Sequence, residues 1–145
     1  MPSAIKSAIY FFFETPVTLK DRTGLKKQIS SVFRKEGVKL GGLNYIFCTD
    51  KRLLKINQDF LKHDYYTDII TFEINPKGQP IEGEIYISVD RVKENAHLLG
   101  ISFKQELLRV ILHGALHLCG YKDKTPSQIK EIRQKEEFYL STLIK

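Results

Sequence analysis

From Ser102 to Cys119 the chain reads Ser-Phe-Lys-Gln-Glu-Leu-Leu-Arg-Val-Ile-Leu-His-Gly-Ala-Leu-His-Leu-Cys. After its first two turns, Leu107, Leu108, Val110, Ile111, Leu112, Ala115, Leu116, Leu118 and Cys119 leave hardly any polar face, so a helix over 102–119 has to be buried. Upstream, β-branched and aromatic residues mark strands at 5–13, 43–49, 69–74 and 84–89. Between them, a helix capped by Thr18 or Asp21 runs to about Lys35, carried by Leu25, Ile29, Val32 and Phe33, and Gly37 ends it. A second helix, capped by Asp50, places Leu53, Leu54, Ile56, Asn57 and Phe60 on its buried side. A short helix over 90–99 precedes the apolar one, and a last helix over 126–143 starts behind Thr125 with Pro126 in its first turn. Strands separated by helices predict parallel crossovers, and the short link through Asn75-Pro-Lys-Gly-Gln-Pro allows one antiparallel neighbour. The expectation is a single α/β domain over residues 1–145, with a mixed four-stranded sheet and five or six helices. Phe11, Phe12, Phe13, Phe33 and Phe47 are assigned to its core.

The composition agrees. With 145 residues, 42% of them apolar, the chain is long enough to bury a core and too apolar for intrinsic disorder. Its longest apolar run, around Ala8–Phe13, is far short of a membrane span, and its N-terminus lacks the pattern of a secretory signal. Two cysteines, Cys48 and Cys119, are too few for a disulfide framework and suit a reducing compartment. A cytoplasmic protein, monomeric by default, is expected. The net charge of +6 permits polyanion binding.

Two histidines interrupt the apolar helix. His113 and His117, four residues apart, lie on one face, so both imidazoles can converge on one point. A buried histidine is commonly a hydrogen-bonded core residue, but each of these would need its own polar partner, whereas one metal ion serves both. Gly120 can reverse the chain by adopting positive φ and return Tyr121-Lys-Asp123 toward that face. The offsets of His113, His117, Gly120 and Asp123 reproduce those of the zinc motif H-E-x-x-H-x-x-G-x-x-H. Gly114 stands in place of its general-base Glu, and Asp123 in place of its third His. Three protein ligands with an open fourth position is the catalytic zinc pattern, supplying a nucleophile at neutral pH without a carboxylate base. Asp123 alternatively serves as a solvated turn residue that caps the helix at Pro126. Cys119 falls on a different face from His117 and reads as a core residue.

His113-Gly-Ala-Leu-His-Leu-Cys-Gly-Tyr121 resembles the H-G-x-L-H-L-x-G-Y signature of the YbeY family of ribosome-associated, metal-dependent endoribonucleases. Asn57 with Asp64 and Thr67-Asp-Ile-Ile-Thr-Phe72 is similar to the family's N-x-x-[YF]-R-x-x-D-x-P-T-D-V-L-S-F segment, and Gly83-Glu-Ile-Tyr-Ile-Ser88 to its G-D-I-x-I-S strand. The likeness spans about residues 45–125. It implies one α/β domain with a zincin-like site at the end of the long helix. It also implies endonucleolytic maturation of ribosomal RNA, at the 3′ end of the small-subunit RNA, and ribosome quality control. One Zn²⁺ would be held by His113, His117 and Asp123, the last standing where most members have their third His. The family's Arg near the scissile phosphate aligns with Leu61, which leaves Lys62 or Arg91 to neutralise phosphate.

Between Lys20 and Lys39 stand seven basic residues and two acidic ones, among them Lys26, Lys27, Arg34 and Lys35. On one helix face they would hold an RNA backbone in a salt-dependent manner; a solvated surface is the alternative. Tyr65 and Tyr66, next to Lys62 and His63, could stack unpaired bases or pack into the core. Three functions remain open: an endoribonuclease acting on ribosomal RNA in the small subunit, a non-cleaving assembly factor with a structural metal, and a metal-dependent hydrolase of another substrate.

Overall fold

The structure, a computed structural model, describes residues 8–63, 65–75 and 77–143. Ile5, Lys6 and Ser7 of the first predicted strand, Asp64 and Pro76 lie outside the described residues. The elements follow as β1 (Ala8–Phe13), α1 (Arg22–Lys35), β2 (Leu40–Cys48), α2 (Asp50–Leu61), β3 (Ile69–Glu73), β4 (Ile81–Ser88), α3 (Val89–Leu99), α4 (Phe103–Leu118) and α5 (Pro126–Leu143). In the sheet the order is β1-β2-β4-β3, with β1, β2 and β4 parallel and β3 antiparallel to β4. This is the mixed four-stranded α/β sheet expected, and five helices accompany it among the described residues.

One sheet face carries Ile9, Leu43, Tyr45, Phe47, Ile85 and Ile87, packed in one cluster with α1, α4 and α5. Ile111, Leu112, Ala115 and Leu116 of α4 are fully buried there. The Tyr45 hydroxyl donates to the carbonyl of Ile111 (2.9 Å), which ties the middle of the apolar helix to the sheet. A smaller cluster on α2 joins Leu53 and Ile56 to Cys48 and Ile70. No helix among the described residues is long and apolar enough to cross a membrane.

Side-chain caps fix the helix starts. Asp21 accepts from Gly24 N, Thr49 from Arg52 N, Ser88 from Arg91 N and Ser102 from Gln105 N. Thr49 rather than Asp50 therefore caps α2. Asp50, in the first turn, instead accepts from Ser88 Oγ and from Arg91.

Four sequence expectations need correction. Strand β2 begins at Leu40 rather than 43, and β4 at Ile81 rather than 84, because both early segments contain glycines that dilute a strand pattern. Those glycines serve close approach: a Cβ at Gly41 would stand 3.2 Å from the Ile81 carbonyl oxygen, and one at Gly83 would stand 2.8 Å from Leu118 Cδ1. Phe60 is 70% exposed, edge-on to Phe72, instead of on the buried side of α2. Phe12 is also exposed, since alternation along β1 turns it and Tyr10 away from Phe11 and Phe13, which pack on the core.

Candidate metal centre

Helix α4 delivers His113 and His117 one turn apart at its C-terminal end. Past the helix, the amide of Gly120 donates to the His117 carbonyl (3.0 Å) and that of Tyr121 to the Leu116 carbonyl (3.1 Å), with Gly120 at φ 107°. This is a Schellman closure, and it needs a residue free to take positive φ. The reversal brings Asp123 back over the histidines. Its Oδ2 lies 3.3 Å from the Nε2 of both His113 and His117. Asp123 does not cap the last helix: Thr125 Oγ1 accepts from Gln128 N, and Gln128 Oε1 accepts from the amides of Lys124 and Thr125.

The far nitrogen of each imidazole has a defined partner. His117 Nδ1 donates to the carbonyl of Tyr121 (2.9 Å), and His113 Nδ1 donates to Glu136 Oε2 on α5. A carbonyl and a carboxylate only accept, so both Nδ1 atoms carry hydrogen, and in the neutral rings both Nε2 atoms present lone pairs. Those two Nε2 atoms are 2.9 Å apart. With Asp123 Oδ2, three acceptors converge without a donor among them, and their ligand atoms all lie within 4.8 Å of one another. Such a set is repulsive by itself and suited to a cation. Tetrahedral ligands at zinc distances stand about 3.3 Å apart, which two of the three spacings match. His113, His117 and Asp123 therefore could hold a metal ion.

Behind the triad lies a buried ionic chain that the sequence reading missed. Arg109 donates bidentately to Glu106 (2.8 and 2.7 Å) and, through Nη1, to Glu136 Oε1 (3.0 Å). Glu106 and Glu136 are almost fully buried, at 0% and 1% exposure. Burial raises the Glu136 carboxyl, but the hydrogen bond from His113, with the hydrogen bond and charge of Arg109, outweighs it and holds its pKa below the ordinary carboxylate value. Hydrogen bonding to Glu106 keeps Arg109 protonated. A signal existed in the sequence: Glu136 occupies the same stripe of α5 as Ile132, Tyr139 and Leu140, where a lone carboxylate demands a buried partner.

Asp68, just ahead of β3, also adjoins this chain. Its Oδ2 lies 4.0 Å from Arg109 Nη2, and burial raises its carboxyl, opposed chiefly by the charge of Arg109. A cleft of about 460 Å³ opens in front of the triad, lined by Asp68, His113, His117 and Asp123 and, on its outer side, by Leu61, His63, Tyr65 and Lys124.

The other expected contacts fall elsewhere. Lys62 caps α2 in the left-handed conformation (φ 60°) and does not line the cleft. Nor does Arg91, whose Nη2 pairs with Asp50 Oδ2 at 2.6 Å and whose guanidinium lies over the Tyr66 ring. Tyr65 faces the cleft, while Tyr66 is joined to Arg91 outside its lining. On α1, Lys26 lies over Tyr10 and Phe11, Lys35 lies over Tyr139, and Lys27 and Arg34 are exposed; none lines the cleft. Cys119 packs against the core, and burial pushes its thiol up to about 12.

Fold and site together define an α/β protein with a two-histidine, one-carboxylate centre at the end of a buried helix. Compared with known proteins, residues 15–144 match the family model described as Endoribonuclease YbeY. Endoribonuclease YbeY of Cytophaga hutchinsonii is 48% identical over 137 residues, covering 94% of this chain and 96% of the relative. That of Chlorobaculum parvum is 44% identical, covering 90% and 92%. Among solved structures, the solution structure of TM1509 from Thermotoga maritima superposes with a TM-score of 0.65 at 30% identity, over 91% of this chain and 86% of that one. The chain belongs to the YbeY family.

Proposed function

We propose that the protein is a zinc-dependent endoribonuclease that cuts single-stranded ribosomal RNA, in maturation of the 3′ end of the small-subunit RNA and in ribosome quality control, in the cytoplasm. The observation that carries this reading is the convergence of His113 Nε2, His117 Nε2 and Asp123 Oδ2, acceptors without a donor, in an open cleft. It is supported by membership of a family whose relatives are named as endoribonucleases.

His113, His117 and Asp123 would hold one Zn²⁺. When bound, zinc supplies Lewis acidity at a phosphoryl oxygen and an activated water at neutral pH. The chain's own residues prepare that site. Glu136 and the Tyr121 carbonyl fix the imidazole tautomers and aim both Nε2 atoms at one point. Arg109 keeps Glu136 ionised and in place. At Gly114 a Cβ would meet Ile85 Cδ1 at 2.8 Å and Ile69 Cδ1 at 3.0 Å, so the glutamate used as a base by peptide-cutting zinc enzymes has no room there. That disfavours a peptide hydrolase and leaves proton handling to the cleft carboxylates.

The test is cleavage of a precursor small-subunit RNA by zinc-loaded protein, abolished by chelator and by His117→Ala, with zinc content measured beside it. Asp123→Ala should lose most of its zinc; zinc equal to wild type would remove Asp123 as a ligand. Leu61, which lines the cleft where the family resemblance places an arginine, favours a second reading, binding to the small subunit without cleavage. RNA bound but left intact by the zinc-loaded protein would select it.

A further inference from the structure

Two hollows meet at the triad. Besides the main cleft, a second cavity of about 260 Å³ is lined by Arg109, Ile132 and Arg133, and both cavities share Asp68, His113 and Asp123. A polymer laid over the triad can therefore run from one hollow into the other. The two ends of that path differ in chemistry. In the main cleft, the His63 and Tyr65 rings lie nearly parallel, 19° between planes and 5.1 Å between centroids, linked by the Tyr65 hydroxyl on His63 Nδ1 (3.0 Å).

Both residues of that pair are tied to α2. Buried Asn57 donates its Nδ2 to the Tyr65 carbonyl (2.9 Å) and accepts the His63 amide at its own carbonyl (3.0 Å). Yet Tyr65 remains 56% exposed. A fixed, exposed aromatic pair is a stacking surface that needs little ordering on binding. In the second cavity, Arg109 is committed to Glu106 and Glu136, whereas Arg133 is exposed and forms no ion pair among the described residues. Its guanidinium fork suits a phosphate.

We propose that a single RNA strand crosses the triad with one unpaired base stacked on the His63–Tyr65 pair and a neighbouring phosphate held by Arg133. This rests on the endoribonuclease reading and extends it to how the strand is seated. A duplex keeps its bases stacked inside and offers none to the aromatic pair, so the path selects single strands.

The experiment is equilibrium binding of a short, fluorescently labelled single-stranded RNA with phosphorothioate linkages to full-length zinc-loaded protein over a range of salt. Tyr65→Leu should weaken binding at least about fivefold, the low end for one stacked base, without changing the slope of log K against log salt. Tyr65→Phe, which keeps the ring, should bind within about twofold of wild type. Arg133→Gln should lower the slope by about 0.7, one single-strand phosphate contact. Zinc content equal to wild type in these variants shows that the triad is intact. A wild-type slope in Arg133→Gln, or wild-type affinity in Tyr65→Leu, overturns the path while leaving the endoribonuclease reading in place. A wild type that binds no single-stranded RNA overturns both.

Discussion

Glu136, on the last helix, accepts the Nδ1 hydrogen of His113, twenty-three residues earlier on α4, and so turns the opposite nitrogen toward His117 and Asp123. The same carboxylate takes Arg109 on its other oxygen. The aim of His113 Nε2 is thereby linked to the docking of α5 on α4. Carboxylates behind ligating histidines typically contribute about 10- to 100-fold in metal affinity. Glu136→Gln should therefore weaken zinc binding by about that factor, read by competition with a chromophoric chelator. Glu136→Ala should also lower stability, by about 3–5 kcal/mol, because it removes one partner from a buried ion pair. Wild-type zinc affinity in Glu136→Gln would refute the link.

Leu61 presents an apolar side chain, 38% exposed, to the cleft. Leu61→Arg would place a guanidinium on the wall of a cleft whose charged lining is Asp68, Glu73, Asp123 and Lys124. RNA affinity should rise, and the salt slope of binding should steepen by about 0.7. Thermal stability should stay within about 0.5 kcal/mol of wild type, as for other partly exposed substitutions. An unchanged slope would mean that RNA does not pass this wall.

Gly114 lets α4 settle against β3 and β4. Gly114→Ala gains helix propensity of about 1 kcal/mol but forces apart Ile85 and Ile69, an overpacking cost of about 1–3 kcal/mol. A net loss of about 1 kcal/mol is expected in urea unfolding, with the m-value unchanged. A stabilised variant would show that the two isoleucines yield without strain.

Glu36 gathers three contacts at the end of α1: hydroxyls of Tyr121 (2.7 Å) and Tyr139, and Lys135 Nζ (3.3 Å). Burial raises its carboxyl, but hydrogen bonds from Tyr139, Tyr121 and Lys135 bring it below the ordinary 4.5. A depressed carboxylate contributes stability that is present above the unfolded value and is lost as pH falls through the folded one. Glu36→Gln should thus be less stable than wild type at neutral pH, by about 1 kcal/mol, with the gap closing below pH 4.5. A gap constant down to pH 3 would contradict this assignment.

Periodicity and capping made every helix and strand legible, because both are local. Asp21, Ser102 and Pro126 mark helix starts within a few residues of the groups they serve, and the apolar run of α4 could only be buried. The spacing of His113, His117, Gly120 and Asp123 was equally readable, since helix pitch and one glycine reversal bring those residues together. Which face of an element meets a neighbour was not readable for Phe12 and Phe60: on β1 the covered face is that of Phe11 and Phe13, and near the end of α2 Phe60 stands edge-on to Phe72 and mostly exposed.

The chain by itself determined the α/β order and the convergence of His113, His117 and Asp123, through interactions that span a turn or two. Only the tertiary structure decided what stands behind and beside that triad. Glu136 and Arg109 are 27 residues apart, and Asp68 is farther still from both, so no local pattern pairs them. Glu136 and Arg109 meet because α5 packs on α4 over a buried face, where an unpaired charge would be too costly and each must find its opposite.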